Sequence, residues 1–421
     1  MPCVRYYRTI RAGVTGPCRQ LGYGVNRRPV PASVTRCLSR LYADVVAHRV
    51  VEYDDAGLVP ARTLVGELLG WYLDIEPLPA EQVVLFHGST EAISVACEYA
   101  AHRGVQPVLP IPNYYSFEHS LSRYGAVEPV YYGTDGQLDR PIPAGRRRLL
   151  VDVAPNGVLG SWLWPPPPVG ADDLALIDVP FSLPQFGRVD DFRAVLHRKM
   201  TAYPRWLLCM TPSKDLSVPG LRVGFVAGTE PGFVEFATAV RFERGYSVNA
   251  AVALVAAVHL GLLLLALAAP VDRERTAARL REMFDRHGVP FLDHEEETAF
   301  LAEMQTATAH FARNIDLLDG SGLFAPLTGA ARPVAGYSTF RWLTRPFTSP
   351  DAWTRWVNQL GRAGLKVNPN YLFGADPAHW QRLYPDRYGI RLNISVPATE
   401  LRDNLRFLRR ALDAREQEAV R

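Results

Sequence analysis

A chain of 421 residues, 48% of them hydrophobic, is long enough to bury one large core and a smaller one beside it. With 46 basic against 43 acidic residues the formal charge is +3, and the basic residues are scattered, which excludes the clustered footprint of a nucleic-acid binder. The five cysteines, Cys3, Cys18, Cys37, Cys97 and Cys209, contain no CxxC pair, so neither a disulfide framework nor a zinc site is expected, and the composition suits a reducing cytoplasm.

Residues 1–20 are rich in arginine and polar side chains and lack the apolar centre of a signal peptide, so no export is expected. Turn signals at Gly22, Gly24, Pro29 and Pro31 make the first forty-odd residues an arm that packs on the C-terminal part. Short β-rich runs at 83–86, 108–111, 127–132, 149–153, 174–177, 206–210 and 223–227 are mostly separated by helix-compatible stretches such as 91–101 and 115–124. That order predicts an α/β fold with a doubly wound, mainly parallel seven-stranded sheet, whose ligands bind at the carboxyl ends of the strands. The proline run at 165–168 reads as a stiff connector.

Residues 250–269 are almost wholly apolar and reach the length of a membrane span. His259 and Gly261 interrupt the middle, aromatic flanks are missing and a charged helical stretch at 272–286 follows, so a helix buried in a soluble core is expected rather than a membrane contact. Beyond about residue 285 strands thin out: a helix at 350–361, a strand at 390–396 and an arginine-rich terminal helix at 399–416 predict a second, smaller α+β domain. The expected division is a large domain over 45–285 and a small one made of 1–44 with 286–421.

The chain has three lysines, Lys199, Lys214 and Lys366, so chemistry that needs an amine has few candidates. Lys214 stands in Thr-Pro-Ser-Lys-Asp-Leu-Ser-Val-Pro-Gly-Leu-Arg-Val-Gly-Phe, residues 211–225, a polar stretch between two apolar strands. A lone exposed lysine is usually a solvated charge. A hydroxyl three positions before this one and a Gly-Leu-Arg six to eight after it describe an anion site beside an amine.

These residues resemble the lysine motif of the class I and II aminotransferases, most of all the histidinol-phosphate aminotransferase branch and its threonine-phosphate decarboxylase relatives. The resemblance implies the pyridoxal-phosphate (PLP) dependent transferase fold of type I. It makes Lys214 the amine that carries pyridoxal 5'-phosphate as a Schiff base, and it gives the cofactor phosphate to Thr211 and Arg222, with Ser213 as a further contact.

Further segments match in the right order. Gly-Ser-Thr-Glu-Ala-Ile at 88–93 follows an apolar strand and opens a helix, so Ser89 and Thr90 can present N–H groups to a phosphate, or simply cap the helix. Pro-Asn-Tyr-Tyr-Ser-Phe at 112–117 resembles the segment whose ring stacks on the pyridine, which assigns Tyr114; the plain alternative is a packing tyrosine. Ala-Leu-Ile-Asp at 175–178 ends an apolar strand on Asp178, where a carboxylate needs a counter-charge, and the resemblance supplies the pyridinium nitrogen. Gly-Ile-Arg-Leu-Asn-Ile-Ser at 389–395 places Arg391 as the clamp for a substrate carboxylate. Glu-Tyr-Asp-Asp-Ala-Gly at 52–57 resembles the segment whose tyrosine, Tyr53 here, crosses to the other subunit's phosphate, which implies a homodimer with shared sites.

Two positions depart from the pattern. Gly157 stands where the family has an asparagine that donates to the cofactor's phenolic oxygen, leaving Asn156 as a shifted substitute, and Phe181 stands where a tyrosine donates to the same atom. Losing donors to a charged oxygen disfavours the charged form. The expectation is therefore a divergent enzyme acting on an amino-acid-like substrate, an aminotransferase in specialised metabolism. Decarboxylation, β- or γ-elimination or replacement, carbon–carbon bond formation, and a non-catalytic cofactor-binding protein are the alternatives.

Overall fold

Strands buried on both faces read as runs apolar from end to end, and such runs supply the centre of this molecule. The computed structural model describes residues 2–48, 55–164, 170–186, 189–245, 248–325 and 332–420. Helix α1 (Pro2–Arg11), strand β1 (Arg19–Gln20) and helices α2 (Ala32–His48) and α3 (Val59–Leu73) lead into the alternation. It runs β2 (Val83–Phe86), α4 (Ser89–His102), β3 (Gln106–Pro110), α5 (Ser116–Arg123), β4 (Val130–Tyr132), β5 (Arg148–Val153), β6 (Leu174–Val179), α6 (Val189–Thr201), β7 (Arg205–Met210), α7 (Pro212–Asp215) and β8 (Gly224–Gly228). The sheet has seven strands in the order β2-β8-β7-β6-β5-β3-β4. Strand β8 pairs antiparallel with β2 and β7, and the other pairs are parallel. The expected α/β class and mainly parallel sheet are present, with β8 as the reversed strand.

After α8 (Phe233–Arg244) comes α9 (Ala250–Leu267), the helix long and apolar enough to cross a membrane; 83% of it is buried inside the protein. It packs on α3, and Gly261 lets the rings of Phe284 and Phe291 approach where a Cβ would come within 2.8 Å of Phe291. Leu254, Leu260, Leu262 and Leu263 are fully buried, each gaining about 1.5–3 kcal/mol of transfer free energy before chain entropy is set against it. The polar residue in this helix, His259, has Nε2 at 2.8 Å from Asp215 Oδ2, and both side chains are buried. Oδ1 of the same carboxylate accepts from the backbone N–H groups of Ser182 and Leu183. Through Asp215 the apolar helix therefore fixes the single turn α7 and the loop after β6 against each other.

Helices α10 (Arg273–Arg286) and α11 (His294–Asp319) lead to β9 (Ser338–Trp342), α12 (Pro350–Arg362), β10 (Leu365–Lys366), β11 (Asn368–Pro369), α13 (Pro377–Leu383), β12 (Gly389–Asn393) and α14 (Ala398–Val420). Strands β11, β12 and β9 form an antiparallel sheet, and β1 pairs in parallel with β10. Helix α1 lies on α12, where Asn358 Nδ2 donates to Thr9 O and Arg362 Nε to Ala12 O. The N-terminal stretch is thus more than an arm of turns. Its helix α2 buries Val34, Cys37, Leu41 and Val45 against α9 and α11, and it runs through residue 45. The strand expected at 390–396 ends at Asn393, because Asn314 of α11 takes the carbonyl oxygens of Ile394 and Val396 for its own amide.

Candidate active site

Strands β5, β6 and β7 run in the same direction, so their carboxyl ends open on one edge of the sheet. The residues just beyond those ends, with the loop into α4, line a cavity of about 590 Å³. Ser89, Thr90, Tyr114, Asn156, Asp178, Thr211, Ser213, Lys214, Arg222 and Arg391 all face it. The structure therefore brings together every sequence-selected site residue except Tyr53, which lies outside the described residues.

Lys214 sits on α7, whose first turn is capped by the Thr211 side chain accepting from Ser213 N. Its Nζ donates to Gly24 O at 3.0 Å. Burial, with Arg391 and then Arg222 adding repulsion, lowers the ammonium from an ordinary 10.5 to about 8. An amine so placed loses its proton near neutral pH and can act as a nucleophile.

Asp178, one residue before the end of β6, is almost fully buried, and its Oδ1 has no hydrogen-bond partner. Desolvation raises the carboxyl to about 7, a shift only partly offset by the Cys209 thiol. A buried carboxylate with a free oxygen facing a cavity calls for a cationic N–H.

The anion cradle is local. Gly88 stands at φ +83° before the first residue of α4, and a Cβ there would lie 2.7 Å from Arg222 Nη2. That guanidinium therefore lies against the turn, donating to His87 O and Pro219 O at 3.1 and 3.2 Å. Arg222 itself adopts φ +55°, a conformation uncommon for a side-chain-bearing residue and typical of functional turns. The Thr211 hydroxyl donates to Val223 O at 2.7 Å and lies 2.8 Å from the Ser213 hydroxyl, and both line the same cavity as Ser89 and Thr90 at the N-terminus of α4.

Arg391 comes from β12 on the opposite side. Its Nη2 donates to the carbonyl oxygens of Gly22 and Tyr23, its guanidinium covers the Phe373 ring at 5.1 Å, and its Nε has no partner. Burial lowers its pKa, and among the described residues no carboxylate lies within ion-pair distance of it. Asn156 lines the cavity, but its side chain is largely committed. Nδ2 donates to Pro112 O at 2.8 Å and Oδ1 accepts from Val158 N and Leu159 N, which leaves one amide N–H. Phe181 fills its place with a ring that packs on Tyr337.

Tyr337 escaped the sequence reading. It precedes β9, is 3% exposed, lines the cavity and donates to Gly24 O at 2.7 Å; burial pushes its phenol up to about 12. A glycine-tyrosine pair entering an apolar strand was the available signal. Tyr7 of α1 was missed because only the tertiary fold carries it to the cavity, and Tyr115 was passed over although it stands next to Tyr114 in the chain.

The groups thus assembled can hold a phosphorylated, cationic heteroaromatic aldehyde at the strand ends and a carboxylate at Arg391. No protein-family model matches the chain, and no curated protein matches it in sequence. Solved structures do match in fold. An aspartate aminotransferase from Thermotoga maritima superposes with a TM-score of 0.64 at 14% identity, over 97% of this chain and 95% of that one. A double mutant of Thermus thermophilus aspartate aminotransferase gives 0.62 at 18%, over 97% and 94%. A Methanococcus jannaschii protein, whose active site is described as similar to that of kynurenine aminotransferases, gives 0.62 at 12%, over 97% and 94%. The chain shares the fold of these aminotransferases along nearly its whole length.

Proposed function

We propose that this chain is a pyridoxal 5'-phosphate-dependent transferase that moves the amino group of an amino-acid substrate. The observation that carries the reading is that an amine lowered to about 8 and a buried carboxylate with an unpartnered oxygen line one cavity together with a guanidinium-hydroxyl cradle. When bound, the cofactor supplies an aldehyde that condenses with amines and a ring that takes up the electrons of a broken bond at the substrate α-carbon. Asp178 holds the ring's N–H in its charged form. Arg222, Thr211, Ser213, Ser89 and Thr90 hold the phosphate, and Tyr114 covers the ring face. Arg391 orients the substrate carboxylate through its fork of N–H donors, and Lys214 then takes a proton from the α-carbon and returns one.

Asn156 keeps one N–H for the phenolic oxygen, which Phe181 cannot reach with a donor. This favours, as a second reading, a branch such as decarboxylation or elimination in which the protonation of that oxygen differs. The finer resemblance to histidinol-phosphate aminotransferases and threonine-phosphate decarboxylases belongs to the same reading. A homodimer is part of the proposal: Tyr42, Val46 and Val59, which flank the segment holding Tyr53, are 58%, 56% and 50% exposed and give a second subunit apolar surface to cover. The division at residues 45 and 285 and a cytoplasmic location, the latter supported by the free thiols of Cys18, Cys37, Cys97 and Cys209, complete it.

Absorbance of the purified protein mixed with the cofactor tests the reading. An imine band that borohydride erases, with the label on Lys214 and no band in Lys214→Ala, supports it. Amino donors with a keto-acid acceptor then separate transfer from release of carbon dioxide or ammonia.

A further inference from the structure

Four charged side chains face the cavity among the described residues: Asp178, Lys214, Arg222 and Arg391. On the reading above, three of them serve the cofactor, and Arg391 is left as the cation for the substrate. The rest of the wall on the Arg391 side is neutral. Phe373 lies under the Arg391 guanidinium, Leu372 adjoins it in the chain, and Tyr7 and Tyr115 line the same cavity. Tyr7 and Tyr115 are 49% and 43% exposed, aromatic surface left open in the same cavity as the buried Arg391 guanidinium. The Arg11 guanidinium is stacked on Tyr7 and donates to Val367 O and to Asn368 Oδ1, with its Nε and Nη1 buried and unpartnered; Tyr7 and Asn368 line the cavity and Arg11 stands behind them.

We infer that the site takes an amino acid with a single carboxylate and an aromatic or large apolar side chain, seated against Tyr7, Tyr115, Leu372 and Phe373. The inference rests on the transferase reading and narrows its substrate. A ring or branched chain placed there covers open aromatic surface and gains from its own removal from water. A side chain ending in a second carboxylate would lose hydration against the same wall, whose lining among the described residues presents no further cation directly. The tyrosine hydroxyls can accept or donate to a neutral polar tip, such as a phenol, but they cannot neutralise a charge.

Carboxylic acids that lack the amino group test this without turnover, because they engage Arg391 and the side-chain wall and cannot react with the cofactor. With the cofactor-loaded protein, dissociation constants are measured by calorimetry for 3-phenylpropionate, 4-methylpentanoate, succinate and glutarate. The first two are expected to bind at least about tenfold more tightly than the dicarboxylates. Tyr7→Ala and Tyr115→Ala should each weaken 3-phenylpropionate by about fivefold or more while leaving acetate binding unchanged. Tighter binding of succinate or glutarate overturns the inference, as does 3-phenylpropionate binding that neither variant alters. Those failures leave the function standing, provided the borohydride-sensitive band forms on Lys214. Absence of that band overturns the function itself.

Discussion

Lys214 and Tyr337 donate to one acceptor, the carbonyl oxygen of Gly24, at 3.0 and 2.7 Å. The phenol stays protonated, since burial holds it at about 12, so it competes with the amine for that oxygen at every working pH. Because the amine is lowered to about 8, it is charged below that pH and nucleophilic above it. Cofactor capture, followed as the growth of the imine band, should accelerate from pH 6 to 9 with a midpoint near 8. Arg391→Met removes a repelling cation and Tyr337→Phe releases the shared oxygen to the ammonium; each should raise the midpoint by about half a unit.

Asp178 gives a stability prediction with a definite sign. Its carboxyl is raised from 3.8 to about 7 in the folded protein without cofactor, so the folded state prefers the protonated form. The stability linked to this preference is full below pH 4 and is lost as pH climbs through 7. Asp178→Asn cannot ionise and should be more stable than the parent at pH 8 by about 1–3 kcal/mol, with little difference at pH 4. Urea denaturation of the cofactor-free proteins at both pH values measures the gap. The same substitution should weaken the cofactor-loaded form.

The buried contact between His259 and Asp215 joins α9 to the turn carrying Lys214. Removing the imidazole leaves the carboxylate with its two backbone donors, so His259→Leu should cost about 2–4 kcal/mol in urea denaturation. His259→Asn can still donate and should recover part of that loss. With the turn loosened, the cofactor-capture midpoint in His259→Leu should move upward, a change that a purely distant packing defect would not produce.

Gly336 stands at φ +85°, and a Cβ there would lie 2.3 Å from Phe181 Cδ2. Gly336→Ala should therefore lower stability by about 2 kcal/mol or more and carry Tyr337 out of place. Adding Phe181→Ala removes the ring that clashes and should leave a penalty nearer ~1 kcal/mol, the backbone part alone, if the cavity left by the ring is discounted against Phe181→Ala by itself. Thermal melts of the three variants separate the two parts.

Arg222→Ala should weaken the cofactor and inorganic phosphate alike, by about 10- to 100-fold, since a charge-assisted pair is lost from each. Calorimetry with phosphate alone isolates the cradle from the imine.

Much of this arrangement was legible because it is local. Lys214, Thr211, Asp178 and the Ser89–Thr90 pair each follow an apolar run directly, and a run's end fixes where its next residues lie. The direction of β8 was not legible: apolar residues at 223–227 carry no sign of which way the strand points. Tyr337 and Tyr7 reach the cavity through the packing of distant elements, which no short string encodes. Helix α2 was missed although Val34, Cys37, Leu41 and Val45 show helical spacing, because the glycines and prolines just before it drew the reading toward turns.

The reversal of β8 has a consequence for how the catalytic parts could be exchanged between proteins. Strand β7 leaves the sheet at the cavity and β8 re-enters it there, so the intervening residues begin and end at the same rim. Amine, hydroxyls and guanidinium accordingly travel as one cassette between two fixed posts. Transplanting residues 211–223 onto a related scaffold would carry the reactive nitrogen and the Thr211, Ser213 and Arg222 part of the anion grip together, whereas Ser89, Thr90, Asp178 and Arg391 would each have to be supplied by the host.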